Sequence, residues 1–111
     1  MSAEHWGTVG NMVHLSGIRA FVAVAKYGST IDAAAELGFT QSAISRQVAD
    51  FERYVGTNLF GRRQGGMRLN AAGRDVLPAA VEILRLADSI AARPAAQGLP
   101  AGLPKAQNLR Q

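Results

Sequence analysis

The chain has 111 residues, 48% of them apolar, which is enough for one small hydrophobic core and unlike the composition of a disordered protein. It holds no cysteine, and His5 and His14 are its only imidazoles, so disulfides and thiolate chemistry are excluded, no metal set is expected and no cofactor is implied. No run approaches the roughly 18 apolar residues of a membrane span, and no basic segment followed by an apolar one marks a secretory signal, so a cytoplasmic protein without membrane contact is expected.

The formal net charge is +4, but it is unevenly placed. Residues 40–74 carry six arginines, Arg46, Arg53, Arg62, Arg63, Arg68 and Arg74, against Asp50 and Glu52. The segments on either side are close to balanced, so the excess lies in the middle of the chain. Arginine's planar fork suits phosphate oxygens and guanine edges. A solvated basic face is the plain alternative.

In chain order, residues 1–11 lack a pattern and read as a disordered extension. Leu15, Ile18, Phe21, Val22 and Ala25 then recur at three- and four-residue spacing, predicting a helix that buries this face and ends at Tyr27-Gly28. Ser29 is placed to cap a second helix. In that helix Ala33, Ala34 and Ala35 permit close approach of a neighbour, and Leu37 anchors it. Gly38 stops it, Phe39 is expected to plug the turn, and Thr40 caps a third helix after a three-residue turn.

On that third helix, at 100° per residue from Ile44, the residues Phe51, Val55 and Val48 fall within about −20° to +40°. They form one apolar stripe. Ser42, Ala49, Arg53 and Arg46 fall at about 140° to 200° with Ser45 near 100°, so the opposite face carries small polar groups and arginine. Gln41 and Ser42 occupy the first turn, where free N–H groups and the helix dipole favour a phosphate. Any surface helix shows some such division; what sets this one apart is the preceding alanine-rich helix and the tight turn.

After Gly56 comes the apolar pair Leu59-Phe60 and then GRRQGGMRLN. Gly65-Gly66 offers a turn between Arg62-Arg63 and Met67-Leu69, predicting a basic hairpin that lies along a sugar–phosphate backbone or reaches a minor groove. A flexible basic loop is the alternative. Asn70 can cap a final helix over residues 71–93. There Val76, Ala80, Ile83, Ala87 and Ile90 alternate spacings of four and three, beside Leu77 and Leu84. Two adjacent apolar stripes exceed what one domain needs, so these seven residues are expected to pair two subunits. Interior Pro78 removes a backbone hydrogen bond, and a bend near it is expected. Residues 94–111 read as a flexible Pro/Gly/Ala tail.

In this order the residues resemble the N-terminal DNA-binding region of the LysR-type transcriptional regulators of bacteria. The resemblance runs over about residues 12–92. It is carried by Phe21, Val24-Ala25, Gly28-Ser29, Ala33-Ala34, Leu37 and Thr40 through Gln47, then by Phe51-Glu52, Gly56, Leu59-Phe60, Arg62, Leu69-Asn70 and Ala72-Gly73. It implies a mainly α winged helix-turn-helix over residues 12–70, followed by a long dimerisation helix over 71–93. It further implies that Gln41, Ser42, Ala43, Ser45 and Arg46 contact bases and backbone, and that Arg62 or Arg63 makes the wing contact. Ser29 and Thr30 lie near phosphate on this reading, and Thr40, Arg53, Arg63 and Arg68 complete the candidate surface.

The chain departs from the family at Thr30, where an aromatic or large apolar residue is usual, at Phe51, where leucine is usual, and at Asn70, where threonine is common. The family's two-lobed effector-binding domain is not among these residues, so the chain reads as an isolated DNA-binding domain or a short regulator. The expected partner is double-stranded DNA, bound by a homodimer at an inverted repeat in the bacterial cytoplasm, at the nucleoid. The alternative is a short protein-interaction form that makes a heterodimer with a longer regulator and antagonises it. An enzyme is not expected, since no nucleophile, base and orienting partner share a motif.

Overall fold

A computed structural model describes residues 12–63 and 66–93, except the side chains of Arg62 and Arg63. The expected extension over 1–11, the tail beyond residue 93 and Gly65 of the expected turn lie outside the described residues. Four helices and one hairpin follow in order: α1 (Leu15–Tyr27), α2 (Thr30–Leu37), α3 (Gln41–Val55), β1 (Phe60–Arg63), β2 (Gly66–Leu69) and α4 (Ala71–Ala91). This is the mainly helical, winged arrangement expected.

Local chemistry sets the boundaries. The side chains of Ser29, Thr40 and Asn70 accept the backbone N–H of Asp32, Ala43 and Gly73 respectively, each relieving one orphan donor of a first turn. Gly38 and Gly56 close α2 and α3 in the left-handed region, at φ 77° and 97°. At both ends the next residue donates back into the helix, Phe39 to the Ala34 carbonyl at 3.0 Å and Thr57 to that of Glu52 at 3.2 Å. These paired closures end a helix within one residue.

The core forms where α1 crosses α2 and α3. Ile18, Ala20, Phe21, Ala23 and Val24 from α1 meet Ala33 and Ala34 from α2, and Ile44, Val48 and Phe51 from α3. Phe21 sits at the centre, with ring centroids 5.2 Å from Phe51 and 5.6 Å from Phe60, distances at which tilted aromatic pairs attract beyond their buried area. Leu59 and Phe60 carry the core to the foot of the hairpin.

Several expected core positions face outward. Leu15 is exposed, because it stands in the first turn of α1 and the chain that crosses this helix meets it further along. Ala35 is exposed while Ala33 and Ala34 are buried, since adjacent helical residues diverge by about 100°. Phe39 does not plug the turn: its side chain is 49% exposed, its backbone N–H alone being spent on closing α2.

The hairpin pairs Phe60 with Leu69, Gly61 with Arg68, Arg62 with Met67 and Arg63 with Gly66. Gly66 therefore belongs to β2 and not to the turn. Its reason is close approach: a Cβ there would stand 2.6 Å from the Gly28 carbonyl oxygen, and the neighbouring Met67 N–H donates to that same oxygen at 3.0 Å. The wing is thus fastened to the α1–α2 corner. At its other end, Asn70 accepts from Gly73, donates its side-chain N–H to the Asn58 carbonyl at 2.9 Å and its backbone N–H to that of Leu59 at 3.0 Å. Helix α4 runs through Pro78 without interruption, and Arg19 of α1 pairs with Asp88 of α4 at 2.8 Å.

Candidate nucleic-acid interface

Helix α2, the turn Gly38 to Thr40 and α3 make a helix-turn-helix, and its inner face is spent on the core. Ile44, Val48 and Phe51 are buried and Val55 packs partly against them, so the opposite face of α3 must look outward. Ser42, Ser45 and Arg46 are exposed there, Gln41 is exposed at the helix entry on the side of Val48, and Ala43 is half-buried. Thr40 is also exposed; its hydroxyl accepts from Ala43 at 3.1 Å and lies 3.3 Å from the Ser42 hydroxyl.

The first turn of α2 stands next to this face. Ser29 and Thr30 are half-buried, with the Ser29 hydroxyl engaged as the cap of α2 at 3.1 Å from the Asp32 nitrogen. The Gln41 side-chain amide donates to the Thr30 hydroxyl at 3.0 Å. Position 30 and the start of α3 are therefore joined through side chains, a link that spacing alone did not reveal.

The arginines divide by partner. Arg46 is exposed. Arg53 is exposed too but pairs with Asp50 at 2.7 Å, and it stands two turns beyond Arg46, about 10 Å along the axis. Arg74 donates to the Leu69 carbonyl at 3.0 Å, at the root of α4. On the wing, Arg68 is exposed on β2, and Arg62 and Arg63 lie on β1. A groove of about 360 Å³ separates α3 from the wing, lined by Thr30, Gln41, Ser45, Glu52 and Met67 among others.

Glu52 has a second role. Its carboxylate accepts the Leu59 backbone N–H at 2.7 Å in a partly buried setting, tying the end of α3 to the approach of the wing. A carboxylate four residues before a glycine is a weak sequence signal. Among the described residues no cluster of histidine, cysteine and carboxylates could hold a metal ion, and no helix is long and apolar enough to cross a membrane.

The expected pairing face on α4 needs correction. Ala80 is 1% exposed: it is core of its own domain and has no surface to give a partner. Val76, Leu77 and Leu84 pack partly against the same core, and Ala87 is half-buried. Ile83 and Ile90 do face outward, joined by Leu86, which the stripes omitted; Val81 is also exposed but on nearly the opposite side of the helix. With Ala80 at zero, Ile83, Ile90, Ala79 and Leu86 fall at about −60° to −120°, between the buried side and Glu82 at about −160°. The spacing of Ala72, Val76, Ala79, Ile83, Leu86 and Ile90 is four and three throughout, so this stripe is readable from sequence; it shares Val76, Ile83 and Ile90 with the expected one and replaces Ala80 and Ala87 by Ala79 and Leu86.

The comparisons with known proteins agree with this architecture. The family model described as "Bacterial regulatory helix-turn-helix protein, lysR family" matches residues 15–74. The transcriptional regulator BlaA of Streptomyces cacaoi is 42% identical over 74 residues, which are 67% of this chain and 23% of that protein. A probable nitrogen assimilation transcriptional activator of Synechococcus elongatus is 47% identical over 66 residues, 60% of this chain and 21% of that protein. The chain thus spans about a fifth to a quarter of the length of these relatives. Among solved structures, the DNA-binding domain of CbnR in complex with DNA superposes with a TM-score of 0.67 at 34% identity, covering 71% of this chain and 91% of that one. By the match over more than half its length, the chain belongs to the LysR family of bacterial helix-turn-helix transcriptional regulators.

Proposed function

We propose that this chain is a sequence-specific double-stranded DNA-binding module that acts as a dimer on an inverted repeat. The observation that carries the reading is the two-sided construction of α3. Its apolar stripe is consumed by the core, while Ser42, Ser45 and Arg46 stand exposed on the other face and Gln41 stands exposed at the helix entry. In the complex, α3 enters the major groove, Arg46 pairs with the O6 and N7 of guanine, and Gln41 pairs with the N6 and N7 of adenine. Ser29, Ser42 and Thr40, near the starts of α2 and α3, supply phosphate contacts, and the wing arginines Arg62, Arg63 and Arg68 add sequence-independent, salt-dependent affinity.

The apolar face of α4, with Ile83, Leu86 and Ile90 uncovered, supports pairing of two subunits. A two-fold pair would place two copies of α3 in successive major grooves one helical turn apart, or a multiple of it. The same face supports pairing with a longer regulator of the family.

Selection from a randomised double-stranded DNA library, with mass determination in solution, tests the reading. It predicts enrichment of an inverted repeat and a particle of twice the 11.7 kDa chain mass. Enrichment of nothing beyond bulk DNA, with capture of a longer family member, would replace homodimeric DNA reading by the antagonist role.

A further inference from the structure

Thr30 opens α2 and Gln41 opens α3, and the hydrogen bond between them spans eleven residues of sequence at 3.0 Å. Both backbones are fixed where it forms, because the caps Ser29 and Thr40 close the first turns of the two helices. Threonine is β-branched and stiff at χ1, so its hydroxyl is a steady acceptor. A glutamine amide, by contrast, turns about a broad terminal torsion and can present its oxygen and nitrogen in either order.

We infer that Thr30 is a positioning residue for base reading and acts through Gln41. The inference rests on the DNA-reading function proposed above. With one N–H of Nε2 donated to Thr30, the amide keeps its second N–H and the Oε1 acceptor free. That pair is the complement of adenine's N7 acceptor and N6 donor. Thr30 thus selects one amide orientation before DNA arrives, and the rotamer freedom otherwise lost on binding is already spent. The large apolar side chain that the family resemblance leads one to expect at this position would have no acceptor to offer. The role also differs from a phosphate contact by Thr30, which would strengthen binding to every sequence alike.

The test uses the full chain and three variants, Thr30→Val, Thr30→Ser and Gln41→Ala. Without DNA, nitrogen relaxation of the Gln41 side-chain amide is expected to show restricted motion in the unaltered chain and in Thr30→Ser, and free motion in Thr30→Val. On the selected inverted repeat, all four base pairs are placed at the position whose preference Gln41→Ala abolishes. There Thr30→Val is expected to reduce the preference about two- to tenfold, the range of one neutral hydrogen bond, leaving other positions and the salt dependence unchanged. It should have no further effect in the Gln41→Ala background. A Gln41 amide as mobile as an ordinary surface glutamine in the unaltered chain overturns the inference, whatever the variants do. So does equal weakening on all four base pairs, which assigns Thr30 to the phosphates, and so does a preference left unchanged by Thr30→Val. Absence of any base preference in the unaltered chain overturns the DNA-reading function and this role with it.

Discussion

Helices α3 and α4 are both long and amphipathic, with Arg and carboxylate groups outside and aliphatic groups inside, but their apolar faces meet different fates. On α3 the stripe of Ile44, Val48 and Phe51 is buried, and what remains outside is mostly small or polar, with Arg46, the paired Arg53 and the ring of Tyr54 as the large groups. On α4 the apolar surface is wider than the domain can cover: Ala80 and its flank reach the core, while Ile83, Leu86 and Ile90 stay in solvent. A helix whose outer face is small and hydrogen-bonding can approach the edges of bases. One whose outer face is aliphatic is complementary to another aliphatic surface. On the proposed function the same periodicity serves reading in one place and pairing in the other, and the difference lies in what is left over after the core is filled.

Substitutions on the two apolar faces should separate these fates. The largest effect is expected at Phe51, whose ring packs on Phe21. Phe51→Ala should cost about 3–5 kcal/mol, comparable to the whole stability of a domain this small, and denaturant unfolding reads it directly. The corresponding change on α4, Ile83→Asp with Ile90→Asp, should leave monomer unfolding within about 0.5 kcal/mol of the original. It should convert the dimer to a monomer by mass determination and weaken binding to an inverted repeat about a hundredfold or more, because linked half-site binding is lost. A large loss of monomer stability in the second variant would mean that the outer face of α4 belongs to the domain core after all.

The smallest effect concerns the charged side of α4. The Arg85 guanidinium hydrogen-bonds to Glu82 and holds its carboxyl below the ordinary carboxylate range. A carboxylate with a lowered folded pKa stabilises the fold above its unfolded pKa, and that contribution disappears as pH falls through the folded value. Glu82→Gln should therefore lower the thermal midpoint slightly near neutral pH, and the difference from the unaltered chain should vanish in acid. Because both groups are exposed, added salt should shrink it as well.

Much of the fold was legible because its punctuation is local. Gly28, Gly38 and Gly56 end three helices, Ser29, Thr40 and Asn70 start three, and each acts within a few residues of itself. The inner stripe of α3 was equally legible, since its residues lie within a narrow arc. What periodicity does not carry is where a neighbouring element crosses. Ala80 and Ala79 differ by one position, yet only contact with α1 and the wing decides which of them is core. The outward turn of Phe39 has the same origin, for the backbone N–H that closes α2 says nothing about its ring. The outward position of Ser42, Ser45 and Arg46 on α3 was legible residue by residue, but the lateral ties of this region were not. The bond from Gln41 to Thr30 and that from Leu59 to the Glu52 carboxylate join residues whose proximity only the folded chain creates.

The central claim is that the exposed face of α3 reads base edges, and Arg46 is its most direct probe. Binding of the unaltered chain and of Arg46→Ala should be compared on the selected inverted repeat and on copies mismatched at single guanines. Arg46→Ala is predicted to lose about 1–3 kcal/mol of discrimination at one guanine per half-site, the value of a bidentate contact, while its affinity for mismatched DNA changes little. Equal weakening on matched and mismatched DNA would show that Arg46 holds phosphate, and would contradict base reading by this face of α3.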